Sequence, residues 1–526
     1  MEECCMRNIT KILSIILALV VIVGLVAACS GGTSDNNGGN QGANQGTNQG
    51  ETSDKEDQLP EVYYQAFPLA EFDGKTSDDV YEEIKNYIIE QTGVVPVPVV
   101  LPRGSETEKL NLLISSDDER LDVFFSGDWI EYADMGLLMP LNDLLDEHGA
   151  NIKKAWEEND YMWEKVTDEE GTIWALPRAL PTTSYPTWLR KDWLDKYGLE
   201  MPKTIEDLEN ILRTFKEEDP AGNGQTIPLL TDLGGLYNGL SAGFTENGYG
   251  NWQDTDGKIK HPILQPGFKD AVAKMAEWYK EGYIYKESYV INREQQEQLL
   301  SSNRIGSTIM WYSLVAANEE RVKANIPELE YAFAEGLKGP KGSIETKTKP
   351  GSAGMMILKK AKNPEAAMKF LDWVMESPDN FVTPLYGLDG VDREYTDKEK
   401  NLFKRISERY NGDFYIYPNN VSLRQYGVVG EDGIPNKMTQ FLMDYQYRYD
   451  DVKEPFDFLV SYPATDLDEL APNRADIDRM IEEELVKFLT NMRPMSEWED
   501  FIDQLHKIGM DELNDAYTQI YEKSVK

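Results

Sequence analysis

The chain has 526 residues, of which 93 are Asp or Glu and 53 are Lys or Arg, giving a formal net charge of −40. That length exceeds one ordinary domain and predicts two or three lobes. The acidic excess argues against DNA, RNA or an anionic membrane surface as the main partner, because each carries the same sign of charge. Apolar residues at 40% and aromatics at 11% suffice for a large core.

Arg7 and Lys11 precede an apolar run from Ile12 to Ala28, about long enough to cross a ~30 Å hydrocarbon core as a helix. The run closes on Val26-Ala27-Ala28-Cys29 and resembles a bacterial lipoprotein signal with its lipobox. The resemblance implies cleavage before Cys29, a diacylglycerol and palmitate modification of Cys29, and anchoring on the extracellular face of a Gram-positive type of cell. The other reading of the run is a permanent membrane anchor. Ser30 to Gln58 is rich in Gly, Asn, Gln, Ser and Thr and lacks aromatics. Such a stretch cannot bury enough surface to offset its ordering entropy, so 29–58 reads as a flexible tether. The cysteines are Cys4, Cys5 and Cys29. The body beyond them therefore holds no disulfide, thiolate metal site or Cys nucleophile. His148, His261 and His506 show no metal-ligand spacing.

From Leu59 onward strand and helix patterns alternate. Val62 to Ala66 is a short apolar strand, and Thr76-Ser77-Asp78-Asp79 opens a helix in capping-box fashion. Val80, Ile84, Tyr87 and Ile88 form its apolar face, and Gly93 ends it. Val94 to Leu101 is a second strand despite Pro96 and Pro98, Glu106 to Ser116 a helix, and Leu121 to Phe125 a third strand. Strands separated by helices predict a parallel sheet covered on its faces. Ligands of such sheets bind beyond the carboxyl ends of the strands. The segment there is Ser126-Gly127-Asp128-Trp129. Either Asp128 accepts ligand hydroxyls and Trp129 offers a flat face, or Asp128 caps a helix and Trp129 packs in the core.

Further helices are predicted from Thr204 with Asp207 as a capping box, from the Phe268, Val272, Met275, Ala276 and Tyr279 stripe, and after Asn363-Pro364. The last fifty residues read as almost wholly helical. Asp219-Pro-Ala221-Gly-Asn223-Gly224 resembles the start of a calcium loop. Ala221 lacks the oxygen needed there and no acid closes the loop, so a glycine-rich turn is expected instead. Asp254-Thr-Asp256-Gly257 reads as a hairpin turn.

A set of phrases points further. Asp122-Val123-Phe124-Phe125 with Gly136-Leu137-Leu138-Met139-Pro140-Leu141 is one, and Gly171-Thr172-Ile173-Trp174-Ala175-Leu176-Pro177 another. Trp188-Leu189-Arg190-Lys191-Asp192-Trp193-Leu194 with Pro202-Lys203-Thr204 follows. Ile305 to Tyr312, Pro364-Glu365-Ala366 to Asp372-Trp373 and Tyr386-Gly387-Leu388-Asp389-Gly390 complete the order. Together they resemble the family 1 extracellular solute-binding lipoproteins of ABC importers, in the large Gram-positive, carbohydrate-type branch. The resemblance spans nearly all of the chain from Leu59.

It implies an α/β, two-lobe periplasmic-binding-protein-like fold of type II, hinge-linked, with extra C-terminal helices. Lobe 1 is expected over 59–177 plus 310–376 and lobe 2 over 178–309 plus 377–526. It implies capture of an oligosaccharide or sugar between the lobes, delivery to ABC permease subunits, action as a monomer, and no cofactor. A sugar has apolar C–H faces and polar edges, which aromatics and planar polar groups match. Candidate contacts are Trp311 and Tyr312 at the return crossing, Tyr386 near the third crossing, Arg178 at the first, Tyr185 and Trp188 just beyond it, and Asp128 and Trp129. The alternative for the tryptophans is core packing, to which Trp193, Trp278 and Trp373 are assigned because they sit on helical or strand stripes. For Arg178 it is an interlobe salt bridge. Two other functions stay open: a secreted glycoside hydrolase or lyase, for which no carboxylate pair is marked out, and a surface sugar sensor without transport.

Overall fold

The computed structural model describes residues 59–525 apart from 68–75, 102–105, 117–120, 128, 179–182, 184, 324, 350–352, 417–425, 431–432 and 445–451. The expected signal, the tether, Cys29 and Asp128 lie outside the described residues. Among the described residues no helix is long and apolar enough to cross a membrane.

The strands that matter are, in chain order, β1 (Glu61–Ala66), β2 (Val95–Val100), β3 (Val123–Ser126), β4 (Leu176–Pro177), β5 (Thr187–Arg190), β6 (Ile227–Thr231), β7 (Ile305–Ile309), β8 (Tyr331–Phe333) and β9 (Gly354–Ile357). They form two separate sheets. The first runs β2-β1-β3-β9-β4, and the second β8-β5-β7-β6. Each sheet has its own apolar clusters. Tyr64, Ile84, Leu371 and Phe381 belong to the first, and Leu212, Trp278, Ile309 and Phe488 to the second. This is the two-lobe α/β architecture expected.

β2 shows how the sequence tolerates its prolines. It is an edge strand paired in parallel with β1, with Pro96 opposite Val62 and Pro98 opposite Tyr64. The Val95 N–H donates inward to the Pro60 carbonyl at 2.9 Å. By alternation the nitrogens of Pro96 and Pro98 face the open edge, where a missing donor costs no ladder bond and blunts further pairing.

Helix Asp78–Thr92 ends on Gly93 at φ 68, as its glycine predicts. Its capping box is not formed: Ser77 is the N-cap without a side-chain bond, and Thr76 hydrogen-bonds Asp413 instead. At helix Ile205–Glu218 the predicted box does form, with Thr204 and Asp207 reciprocally bonded. Asn363 precedes Pro364 at the start of its helix, but its amide donates to the Glu61 carbonyl at 3.0 Å rather than capping. Trp252–Gln253 and Ile259–Lys260 pair as the predicted hairpin.

The lobe boundaries fall elsewhere than expected. β7, helix Tyr312–Lys323 and β8 stay in the second lobe, since β8 pairs antiparallel with β5. The chain re-enters the first sheet only at β9, so the return lies between Phe333 and Gly354 rather than near Met310. Nor does it leave at Ser377. Phe381, Val382, Leu385, Phe403 and Phe414 remain in the first lobe's core. The last helices, Arg474–Leu489, Trp498–Ile508 and Met510–Ser524, pack into the second lobe's core. The apolar phrases around these crossings look alike in either lobe, so only strand pairing separates them.

Candidate functional site

In the second lobe, β6 and β7 run parallel with Thr231 beside Ile309, and β5 runs antiparallel with Thr187 beside Ile309. The carboxyl ends of β6 and β7 and the amino end of β5 therefore share one edge, which carries Asp232, Trp311 and Tyr185. The Tyr185 and Trp311 rings meet edge to face, with centroids 6.1 Å apart at 79°. Tyr185 lies over Gly234, where an added Cβ would sit 2.5 Å from the phenol oxygen. All eleven tryptophans are described, and only Trp311, at 39%, is exposed.

Asp232 caps the short helix Leu233–Tyr237, accepting from the Gly235 N–H at 2.9 Å. Burial raises its carboxyl above the usual range, against the Gly235 and Gly234 amides, the Gln296 side chain and Arg293, which favour the charged form. Burial also raises the Tyr185 phenol, and the Asp232 charge adds to that. The edge thus combines an aromatic face in water with a carboxylate acceptor, the chemistry that suits a polyhydroxylated ring.

In the first lobe the corresponding edge is where Gly354 of β9 pairs with Ser126 of β3 and Pro177 of β4. The Arg178 guanidinium lies 4.5 Å over the Phe125 ring, and Phe67 meets Phe125 edge-on at 6.5 Å. Arg178 is thus stacked on its own lobe's aromatic pair.

Of the other predicted contacts, Tyr312 lies beside Trp311, with ring centroids 5.2 Å apart, and the rest sit elsewhere. Trp129 is 7% exposed within a core cluster, and its indole donates to the Lys165 carbonyl at 2.8 Å. Trp188 is fully buried between Phe333 and Phe441, with centroids at 5.4 and 5.8 Å. Neither tryptophan turns a face to solvent, so core packing replaces the expected ligand contact for both. Tyr312 stacks on Phe441 at 4.8 Å and 18°, which occupies one face of its ring. Tyr386 packs against Phe403 and Tyr426 on the first lobe's core. Sequence reasoning missed Asp232 and Phe67. The signal for Asp232 was present: the apolar run Ile227 to Leu230 ends in Thr-Asp-Leu-Gly-Gly, a strand followed by a capped turn.

A cavity of about 630 Å³ opens elsewhere, among Asn142, Leu145, Lys153, Trp163 and Ile173 of the first lobe. None of the predicted contacts lines it. The strand ends differ from it in carrying an exposed aromatic and a polar acceptor beyond the parallel pair β6 and β7.

The Asp219 loop does not fit a cation. Its carboxylate accepts from the Gly224 N–H at 2.6 Å and from the Thr226 hydroxyl and N–H at 2.7 and 3.1 Å. These bonds, the Thr226 hydroxyl first, hold its carboxyl below the usual range. Ala221 brings no side-chain oxygen, and Leu230, at the position that would close a twelve-residue loop, is buried in β6. Among the described residues no group of three His, Cys, Asp or Glu is placed to hold a metal. Chelator or added calcium is expected to leave the melting temperature unchanged, as differential scanning calorimetry with and without EDTA will check. Gly234→Ala is expected to push the Tyr185 ring aside. It should weaken ligand binding several-fold in a calorimetric titration while the far-UV circular dichroism stays unchanged.

A sequence model of the bacterial extracellular solute-binding protein family matches residues 74–380. The fructooligosaccharide ABC transporter substrate-binding protein FusA of Streptococcus pneumoniae serotype 4 is 27% identical over 446 residues, covering 77% of this chain and 80% of that one. The polygalacturonan/rhamnogalacturonan-binding protein YtcQ of Bacillus subtilis is 27% identical over 281 residues, 51% of this chain and 55% of its own. The solved HMO-binding, ABC-transporter-associated solute-binding protein of Bifidobacterium longum infantis superposes with a TM-score of 0.65 at 20% identity, covering 89% and 99% of the two chains.

Proposed function

We propose, for a chain that belongs to the family of bacterial extracellular solute-binding proteins, that it captures an oligosaccharide outside the cell and hands it to an ABC permease. The observation that carries this reading is Trp311, the one exposed tryptophan among eleven, standing edge to face with Tyr185 at the carboxyl ends of β6 and β7. Packing explains the buried indoles. Trp311 instead keeps part of its ring in water at the strand ends, where a sugar face could stack on it.

In this reading Trp311 stacks on a sugar face, Tyr185 holds the indole upright, and Asp232 accepts a ring hydroxyl. Arg178, held over Phe125, would approach the sugar from the other lobe. Closure of the lobes on the sugar would present both to the permease at once. A lipid on Cys29 would keep the monomeric body beside the membrane, with 29–58 as its tether. The role of the relative FusA as an ABC transporter substrate-binding protein supports transport over hydrolysis or sensing.

The test is a thermal-shift screen with fructooligosaccharides, galacturonan fragments and milk oligosaccharides, followed by chromatography of each sugar after incubation. A ligand at 100 times its dissociation constant stabilises by ~2.7 kcal/mol. A hit recovered intact supports capture. A sugar cleaved with turnover overturns it.

A further inference from the structure

We propose that Lys165 is a latch between the two lobes, tied through Trp129 to the strand-end segment of the first lobe. Lys165 closes the 3-10 helix Glu157–Lys165 of the first lobe and is 8% exposed. Its ammonium donates across to the Leu459 carbonyl.

Leu459 sits on a strap, residues 453–462, that belongs to the second lobe. Lys453 anchors that strap, its ammonium held by the Ala242 and Lys341 carbonyls, each at 2.7 Å, and by the Thr245 carbonyl. Its backbone pairs with the chain at Glu345 and Lys347. At the far end Tyr462 meets Tyr517 edge-on at 5.1 Å. Asp457 is buried in the strap, and its carboxylate lies 2.9 Å from the Lys349 ammonium, on the segment that returns to β9. Lys523 of the last helix also pairs with Glu169, just past Lys165. The strap and the Glu157–Lys165 helix are therefore a second place, besides the crossings, where the lobes are joined.

The other end of the link is local to the first lobe. The Lys165 carbonyl accepts the Trp129 indole N–H at 2.8 Å. Trp129 lies three residues beyond Ser126, the last residue of β3. Moving the strand-end segment moves the indole, and with it the residue whose ammonium crosses to the strap. Burial lowers the Lys165 ammonium, the Glu164 carboxylate opposes that and the Lys349 charge adds to it; burial also lowers Lys349, against Asp457, which favours its charged form. The latch does not depend on which solute is bound.

Hydrogen exchange read by mass spectrometry on the full chain tests it, with Lys165→Met and Trp129→Phe beside the parent. In Lys165→Met the strap amides of Phe458 and Val460, which close turns onto Pro455 and Asp457, are expected to exchange at least tenfold faster. Strands β1 and β7 should keep parental rates. Trp129→Phe, which keeps the ring and removes only the donor, should loosen the same strap by a smaller factor. Parental strap exchange in Lys165→Met overturns the latch. Equal loosening of β1 and β7 also overturns it, because it would mark a general folding role. Parental strap exchange in Trp129→Phe overturns the link to β3.

Discussion

Trp311→Ala is expected to weaken sugar binding about 30-fold while leaving the fold intact. A stacked aromatic at the centre of a site contributes about 2 kcal/mol or more on truncation, and 1.4 kcal/mol is tenfold in affinity. Trp311 has the geometry for such a role, since it is exposed and its ring neighbours, Tyr185 at 79° and Tyr312 at 39°, are not stacked flat on it. Its removal takes little from the core, so the melting temperature should move by no more than a degree or two. Trp311→Phe should recover much of the loss, because a smaller ring still stacks. Titration calorimetry with the sugar found in the screen gives the affinity, and scanning calorimetry gives the stability. An affinity equal to the parent's would remove Trp311 from the site and leave the family assignment standing.

Trp188→Ala is expected to do the reverse, costing about 3–5 kcal/mol of stability. The indole is wholly buried against Phe333 and Phe441, and its β5 neighbours pair on both sides with β7 and β8. Truncation leaves a cavity that a rigid sheet cannot collapse around. Its indole N–H finds no acceptor among the described residues. Trp188→Phe should therefore cost far less than the alanine, because it keeps an aromatic in place and removes a buried unpaired donor. Denaturant titration followed by tryptophan fluorescence measures both. If Trp188→Ala unfolds at the parental midpoint, the packing account is wrong. Below the transition its affinity for sugar should fall less than that of Trp311→Ala.

These two tryptophans mark how far the site was legible. Both lie on the same edge of the second lobe's sheet in sequence terms, 188 just inside β5 and 311 just after β7. Composition and spacing treat them alike. What separates them is Phe441, on a helix 253 positions after Trp188 and 130 after Trp311, which covers Trp188 and Tyr312 and leaves Trp311 open. Trp129 followed the same logic: its burial depends on Lys165 supplying a carbonyl 36 residues away.

The sequence by itself determined what depends on neighbours along the chain. The apolar faces of helices Ile205–Glu218 and Phe268–Lys280 lie where the periodicity puts them. Gly93 ends a helix at positive φ, and the body's lack of cysteine follows from counting. Even the prolines of β2 are readable once an edge is assumed. Tertiary structure alone decided which lobe each strand joins, where the chain crosses, and which aromatic faces water. Those outcomes rest on strand pairing and on side chains hundreds of residues apart, whose contacts no local pattern encodes.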